Sequence, residues 1–312
     1  MAQMQAVRMH EFGGPKVLHA EIVGRPEPGA DELLVRIHAA SINPVDYKMR
    51  SGNYPTTEER DLPLTLGRDL SGVVMIAGAE VADLREGDAV FAFLGPGRGS
   101  YGEYAIVKRE EAAPKPANIN HAEAAAVPLA GLTAWQGLFD HGQLRAGQRV
   151  LIHGGAGGVG HFAVQFAKNH GAMVFTTASG QDAEFLHRIG ADQVIDYKKE
   201  RFEDVANDID LVFDLIGGET EERSWAVIRK GGTLVSTLGE PSQDKAGQHD
   251  VRGVGYKTQP NSNQLAQIGR LIEEDRLHPN IAATFRLSDA GSAQDWLEHE
   301  HIQGKIVLDA AS

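Results

Sequence analysis

The stretch Arg149–Lys168 constrains this chain more than any other. Val150–Ile152 is a short apolar run suited to a buried parallel strand. It gives way to Gly154–Gly155–Ala156–Gly157–Gly158–Val159–Gly160, in which Gly155, Gly157 and Gly160 satisfy G-x-G-x-x-G. Val159, Phe162, Ala163, Phe166 and Ala167 then fall at i, i+3, i+4, i+7 and i+8, one apolar helix face, and Gly171 is placed to end the helix. Strand, glycine turn and helix in this order let a pyrophosphate approach the backbone and meet the helix N–H groups and positive dipole end. The glycine pattern alone is weak, because any crowded turn can need glycines. Its place after one strand and before another, at Met173–Thr177, points to dinucleotide binding.

The end of that second strand bears on which dinucleotide. An NAD-type site carries an Asp or Glu about 20 residues past the motif, on the ribose 2′-OH. Here Val174–Thr177 runs into Ala178–Ser179–Gly180, with no carboxylate until Asp182. A 2′-phosphate is not repelled, and Ser179 can donate to it, although an ordinary loop serine would look the same. Lys198 and Lys199, beside Tyr197, are the candidate positive partners, so NADPH is favoured over NADH.

At 312 residues the chain suits two domains better than one. A formal charge of −13 argues against a nucleic-acid or anionic-membrane partner. The absence of cysteine excludes disulfides, thiolate zinc sites and a cysteine nucleophile, and fits a cytoplasmic setting. Met1–Met9 has no apolar run before Glu11, so no signal peptide is expected, and no segment is apolar for long enough to span a membrane.

Residues 1–125 read mostly as β. Strands are expected at Gln5–Met9, Leu33–Ala40, Leu70–Ala77, Asp88–Leu94 and Glu103–Lys108, with Leu33, Val35, Ile37 and Ala39 alternating with Leu34, Arg36, His38 and Ala40. Short strands punctuated by glycine suggest a barrel-like domain. A short helix can start at Pro44, and Tyr54–Arg60 reads as a surface loop. Residues 126–262 alternate helix and strand: helices at Leu129–Leu138, Asp182–Ile189 and Glu221–Ile228, strands at Gln193–Ile195, Asp210–Leu215 and Gly232–Leu238. This is the βαβ order of a doubly wound parallel sheet, a Rossmann α/β fold. Residues 263–312, with a helix at Asn263–Glu274 and a strand at Lys305–Leu308, are expected to return to the first domain.

The motifs Asn43–Lys48, Gly67–Gly72, Tyr101–Tyr104, Pro128–Ala134, Ala156–Gly160 and Gly304–Leu308 occur in an order and spacing that resembles the zinc-independent quinone oxidoreductases of the medium-chain dehydrogenase/reductase superfamily. The likeness runs along nearly the whole chain. It implies a GroES-like β-barrel catalytic domain, a Rossmann domain, an active cleft between them, NADPH as reductant and a homodimer. Zinc-dependent relatives place Cys where Asn43 stands and Gly-His-Glu where this chain has Gly67–Arg68–Asp69, so zinc-bound alkoxide chemistry is disfavoured. By the same resemblance, Asn43, Thr133, Thr237 and Leu238 would face the nicotinamide, with Gly304 and Lys305 near the cofactor. Ala156, Gly157, Gly158 and Val159 would hold the pyrophosphate, Ser179 and Tyr197 the adenosine phosphate side. Tyr47 and Tyr54 would border the substrate.

Plainer readings stand beside these. Asn43 can cap the helix at Pro44, Thr133 can bond its own helix, and Tyr47 and Tyr54 can be packing residues. Asp69 can be a buried partner of Arg68, Asp214 can anchor a turn, and Glu298–His299–Glu300–His301 is better read as a solvated helix end than as metal ligands. The expected activity is NADPH-dependent reduction of a quinone by hydride transfer, with Asn43, Tyr47 and Tyr54 as catalytic candidates. The alternatives are reduction of an enone or alkenal double bond, and an NADPH-binding redox sensor with little turnover. An edge at Thr233–Leu238 is the expected place for pairing between copies.

Overall fold

The computed structural model describes residues 2–55 and 57–311. Thr56, within the expected loop Tyr54–Arg60, lies outside the described residues. The chain divides into two compact units: residues 1–129, 259–275 and 279–312 in one, 130–258 and 276–278 in the other. The expected borders were 125/126 and 262/263.

In the second unit, six parallel strands line up as Gln193–Asp196, Met173–Ala178, Arg149–His153, Ile209–Asp214, Ile228–Ser236 and Arg252–Gly255. The order reverses at Arg149–His153, and its tip opens into the glycine turn. In doubly wound sheets this is where ligands bind. Leu151, Phe175, Ile195, Val212 and Leu234 bury one sheet face with Phe202 and Trp225. Burying each such large side chain contributes about 1.5–3 kcal/mol. The helix Gly160–Asn169 is buried beyond its expected apolar face, with His161 and Gln165 buried too. Residues 276–278 explain this: Gln165 Nε2 donates to the His278 carbonyl at 3.1 Å, and the His278 N–H donates to Gln165 Oε1 at 2.9 Å.

Three expectations for this unit change. Ile228 begins a strand rather than ending a helix, which stops at Ser224. The strand Ile228–Ser236 is not an edge, because Thr233–Ser236 pairs with Arg252–Gly255, a strand too glycine-rich to be seen by pattern. The helix starting at Pro128 gives way at Gln136 to a π-helical turn ending at His141.

The first unit carries a seven-stranded sheet and a three-stranded one. Glu32–Ile42 is the hub of the larger sheet, pairing with Asp69–Ala77, Tyr104–Lys108 and Lys305–Asp309. Its alternation does not end in a solvent face: Leu34 and Ala40 are as buried as Leu33 and Val35. The reason is cover on both sides, by the cluster of Leu33, Val35 and Ile37 and by that of Ala40 and Ile42, with Ala125 and Ala126 packed on Ala39. The tail strand Lys305–Asp309 lies between Ile281–Arg286 and Glu32–Ile42, with Ile306 opposite Ile42.

Candidate functional site

The glycine turn is shaped by the atoms around it. A side chain on Gly160 would bring its Cβ to 2.1 Å from the Gly154 carbonyl oxygen, so only glycine lets the helix start this close to the turn. Gly157 differs: its missing Cβ would meet nothing nearer than that same oxygen at 3.5 Å. Gly157, Gly158 and Val159 are half-buried. No side-chain hydrogen bond caps the helix at Val159; the His161 N–H donates to the Gly157 carbonyl at 3.1 Å, and the positive end of the helix dipole faces the turn. The arrangement fits a dinucleotide pyrophosphate.

Beneath the turn lies a buried relay. The N–H groups of Gly154 and Gly155 both donate to the Thr177 carbonyl at 3.1 Å. Gly154 N–H also reaches Thr177 Oγ1 at 3.3 Å, and His153 Nδ1 is 3.1 Å from that oxygen. His153 Nε2 is 3.0 Å from Ser224 Oγ, whose own proton goes to the Thr220 carbonyl at 2.7 Å. Ser224 must therefore accept from Nε2–H, and Thr177 must donate to Nδ1, which assigns the neutral Nε2–H tautomer. Burial, aided by the Arg223 charge, holds His153 down to about 3.

Beyond the neighbouring strand Met173–Ala178, Ser179 is buried, and the N–H of Tyr197 clamps the adjoining Ala178 carbonyl at 3.2 Å. The Tyr197 ring is exposed, with Lys198 Nζ 5.8 Å above it. Lys199 pairs with Asp196 at 3.1 Å. Asp196 lies below the usual carboxylate range because it takes hydrogen bonds from Lys199 and from the backbone of Lys198 and Gly180. Sequence reading did not single out Asp196, since it stands at the end of the third strand rather than the second.

Thr133 bonds the Thr258 hydroxyl at 2.8 Å, and its carbonyl accepts the Tyr256 hydroxyl at 2.5 Å, one turn before the π-helical segment. Tyr256 and Thr258, more than 120 residues away in sequence, left no local signal. Thr237 donates its N–H to the Asp214 carbonyl at 3.3 Å, and Leu238 stands exposed. Asp214 anchors its turn, Oδ1 accepting from Ile216 and Gly217 N–H at 3.0 Å.

The first unit holds a buried polar cluster around Asn43. Asp69 does not pair with Arg68, whose Nε donates to the Leu94 carbonyl. Its Oδ2 instead accepts from Ser41 Oγ at 2.7 Å and Asn43 Nδ2 at 2.8 Å, and its Oδ1 from Leu129 N–H at 2.7 Å. Asn43 sits at the N-cap of Pro44–Arg50, and Asp46 reaches back to its N–H at 2.8 Å. Tyr101 donates to the same Asp46 oxygen at 3.1 Å. Burial, with Asp69 nearby, pushes Asp46 up to about 6. Lys305 points inward, donating to the Ile42 carbonyl at 2.9 Å and to Asn43 Oδ1 at 2.6 Å. Gly304, at φ 87°, makes the turn that delivers it. Tyr47 is half-buried, and burial together with Glu298 raises its phenol above the usual range. Tyr54 is half-buried, and its carbonyl accepts from the Thr57 N–H at 3.0 Å.

This donor set does not suit zinc. Asn43 Oδ1 already takes an ammonium proton, Asp69 already takes three donors, and the Lys305 cation lies 3.8 Å from Asp69. Among the described residues, no group of three or more His, Cys, Asp or Glu is placed to hold a metal ion. Glu298 pairs with Arg50 at 3.0 Å and His299 with Asp295 at 3.4 Å. Among the described residues no helix is long and apolar enough to cross a membrane.

Comparison with known proteins gives two family matches. Residues 29–117 match the alcohol dehydrogenase GroES-like domain family, and residues 189–308 match a family described as zinc-binding dehydrogenase. An Arabidopsis thaliana protein named NADPH-dependent alkenal/one oxidoreductase, chloroplastic, is 36% identical over 318 residues, 98% of this chain and 79% of that protein. A solved quinone oxidoreductase from Coxiella burnetii superposes with a TM-score of 0.93 at 37% identity, covering 99% of both chains. The Escherichia coli quinone oxidoreductase solved with NADPH gives 0.88 at 28% identity, over 99% of this chain and 100% of that one.

Proposed function

Because the chain belongs to the medium-chain dehydrogenase/reductase superfamily, as a member of the quinone oxidoreductase type, we propose that it reduces quinones with NADPH. The observation that carries this reading is the glycine turn at the switch point of the sheet, with Ser179 rather than a carboxylate at the end of the neighbouring strand. NADPH supplies a hydride from nicotinamide C4 when bound. Ala156, Gly157, Gly158 and Val159 hold the pyrophosphate. Ser179 and Tyr197, with Lys199 released from Asp196, receive the 2′-phosphate. Within the second unit Thr133, Thr237 and Leu238 would meet the nicotinamide; within the first, Asn43 and Gly304 would, with Lys305 bonded to Asn43.

Negative charge builds on the substrate oxygen as hydride arrives, so donors there lower the barrier. Asn43 offers an amide N–H to that oxygen, and Tyr47 and Tyr54 offer phenol protons. Tyr47, with its pKa raised, keeps its proton through the neutral range and acts as a donor. None of these steps calls for zinc, and we read the enzyme as zinc-independent. A cytoplasmic homodimer belongs to the same reading, with the edge strand Arg252–Gly255 as the place where a second copy adds to the sheet.

A second substrate class has its own support. The 36% identity to a protein named for alkenal and enone reduction favours hydride delivery to the β-carbon of a conjugated carbonyl. The deciding experiment follows loss of reduced-nicotinamide absorbance with a para-quinone and with a simple enone, each with NADPH, with NADH and after chelator treatment. Quinone turnover supports the first reading, and enone turnover alone supports the second. Equal rates with NADH overturn the Ser179 assignment, and loss of activity on chelation overturns zinc independence. Tight NADPH binding without turnover of either acceptor overturns the enzymatic reading in favour of a sensor.

A further inference from the structure

Lys305 is an unusual residue to bury. It is 3% exposed, and burial alone pulls its ammonium below the usual lysine range. An ammonium kept from water is costly unless its protons are well used, and a methionine would fill the same volume without that cost. Its protons go to the Ile42 carbonyl and Asn43 Oδ1, with Asp69 Oδ2 3.8 Å away. The register of the tail strand brings it there: Ile306 lies opposite Ile42, so Lys305 falls beside Asn43.

A carboxamide has two ends of nearly the same size and opposite hydrogen-bonding sense. Around Asn43 the two ends meet partners that can play only one part each. Lys305 can only donate, and it meets Oδ1 at 2.6 Å; Asp69, as a carboxylate, can only accept, and it meets Nδ2 at 2.8 Å. Asp69 is itself fixed by Ser41 Oγ and the Leu129 N–H. The flip of the amide is thereby settled. One Nδ2 hydrogen is committed to Asp69 and the other is left to a ligand.

We propose that Lys305 is a positioning residue, whose ammonium, with Asp69 opposite, locks the Asn43 carboxamide so that its second Nδ2 hydrogen is presented to the substrate oxygen. This rests on the reading of Asn43 as a donor to the substrate. Lys305 acts only through Asn43, and that gives a test a purely structural role would not satisfy.

The experiment compares Lys305→Met, Asn43→Ala and the double variant in the full chain, with Lys305→Gln replacing Lys305→Met should the latter not fold. Expected for Lys305→Met is a fall in kcat of about tenfold to a hundredfold with KM for NADPH changed by less than about twofold. The double variant should be no slower than Asn43→Ala alone. A kcat for Lys305→Met close to that of the unsubstituted chain overturns the proposal, as does a double variant slowed by the product of the two single effects. The Asn43 side-chain amide pair, followed by proton–nitrogen NMR, reads the same point without turnover. Two separated, slowly exchanging hydrogens should collapse toward those of a free amide in Lys305→Met, and no change overturns the proposal. Should the unsubstituted chain turn over neither acceptor, the substrate reading fails by itself, and the NMR comparison then decides for or against the locking by Lys305.

Discussion

His153 Nδ1 lies 3.1 Å from Thr177 Oγ1, and that oxygen also receives the Gly154 N–H at 3.3 Å. One neutral imidazole thus connects the first glycine of the turn to Ser224 on the far side. Replacing His153 by Phe leaves the buried Thr177 hydroxyl proton without its acceptor, at a cost of about 1–3 kcal/mol, while Ser224 keeps its bond to the Thr220 carbonyl. We expect His153→Phe to lower the thermal midpoint by several degrees and to weaken NADPH binding about tenfold, read by calorimetry and by fluorescence titration. Unchanged NADPH affinity in a destabilised variant would show that the relay supports the fold and not the turn.

Gly157 and Gly160 separate the turn's architecture from its ligand. A Cβ on Gly160 collides with the Gly154 carbonyl oxygen, whereas one on Gly157 makes only ordinary contact with the protein. Gly160→Ala should therefore cost stability and NADPH binding together. Gly157→Ala should keep its thermal midpoint and still weaken NADPH binding by about tenfold, because the added methyl stands where the pyrophosphate must approach. Full affinity in Gly157→Ala would place the pyrophosphate elsewhere.

Ser179 ends the strand where a carboxylate would select NADH. Ser179→Asp should lower kcat/KM for NADPH and spare NADH, shifting the ratio of the two by at least about tenfold. Lys199→Ala should reduce NADPH affinity alone, and more so at low salt, since its attraction for a 2′-phosphate is screened. Equal losses with both cofactors in either variant would argue against a 2′-phosphate at this place.

Asp46 makes stability fall where carboxylates usually make it rise. Its native pKa of about 6 stands above the ordinary 3.8. The folded chain therefore holds a proton that the unfolded chain has lost, so the stability contributed by this residue is complete below pH 3.8 and disappears as pH rises through about 6. Asp46→Asn does not titrate and can still accept from the Asn43 N–H. The difference in thermal midpoint, variant minus unsubstituted, should rise from pH 4 to pH 7. A flat or falling difference would refute the assignment.

The elements with a strong period were legible. Val150–Ile152, the glycine turn and Phe162–Ala167 carry their fold in their own spacing, because a parallel strand and a helix packed on it need apolar residues at fixed intervals. Local pattern failed at Arg252–Gly255, where two glycines hide a strand, and at Leu34, apolar on the face the alternation assigns to solvent. It failed also at Gln136–His141, a π-helical turn that no spacing in the sequence marks.

The sequence by itself determined the dinucleotide unit, its βαβ order and the exclusion of a thiolate metal site, since each follows from residue type and interval alone. Asn43 as a cap was legible; only the tertiary structure decided that its carboxamide is held by Asp69 and Lys305, 26 and 262 residues away. It also decided that Asp69 ignores its neighbour Arg68 and that His153 is a neutral relay. The physical reason is the same in each case. Periodicity reports which face of an element is buried, but the partner of a buried polar group is set by strand register and close packing between segments far apart in the chain, and no interval in the sequence records that.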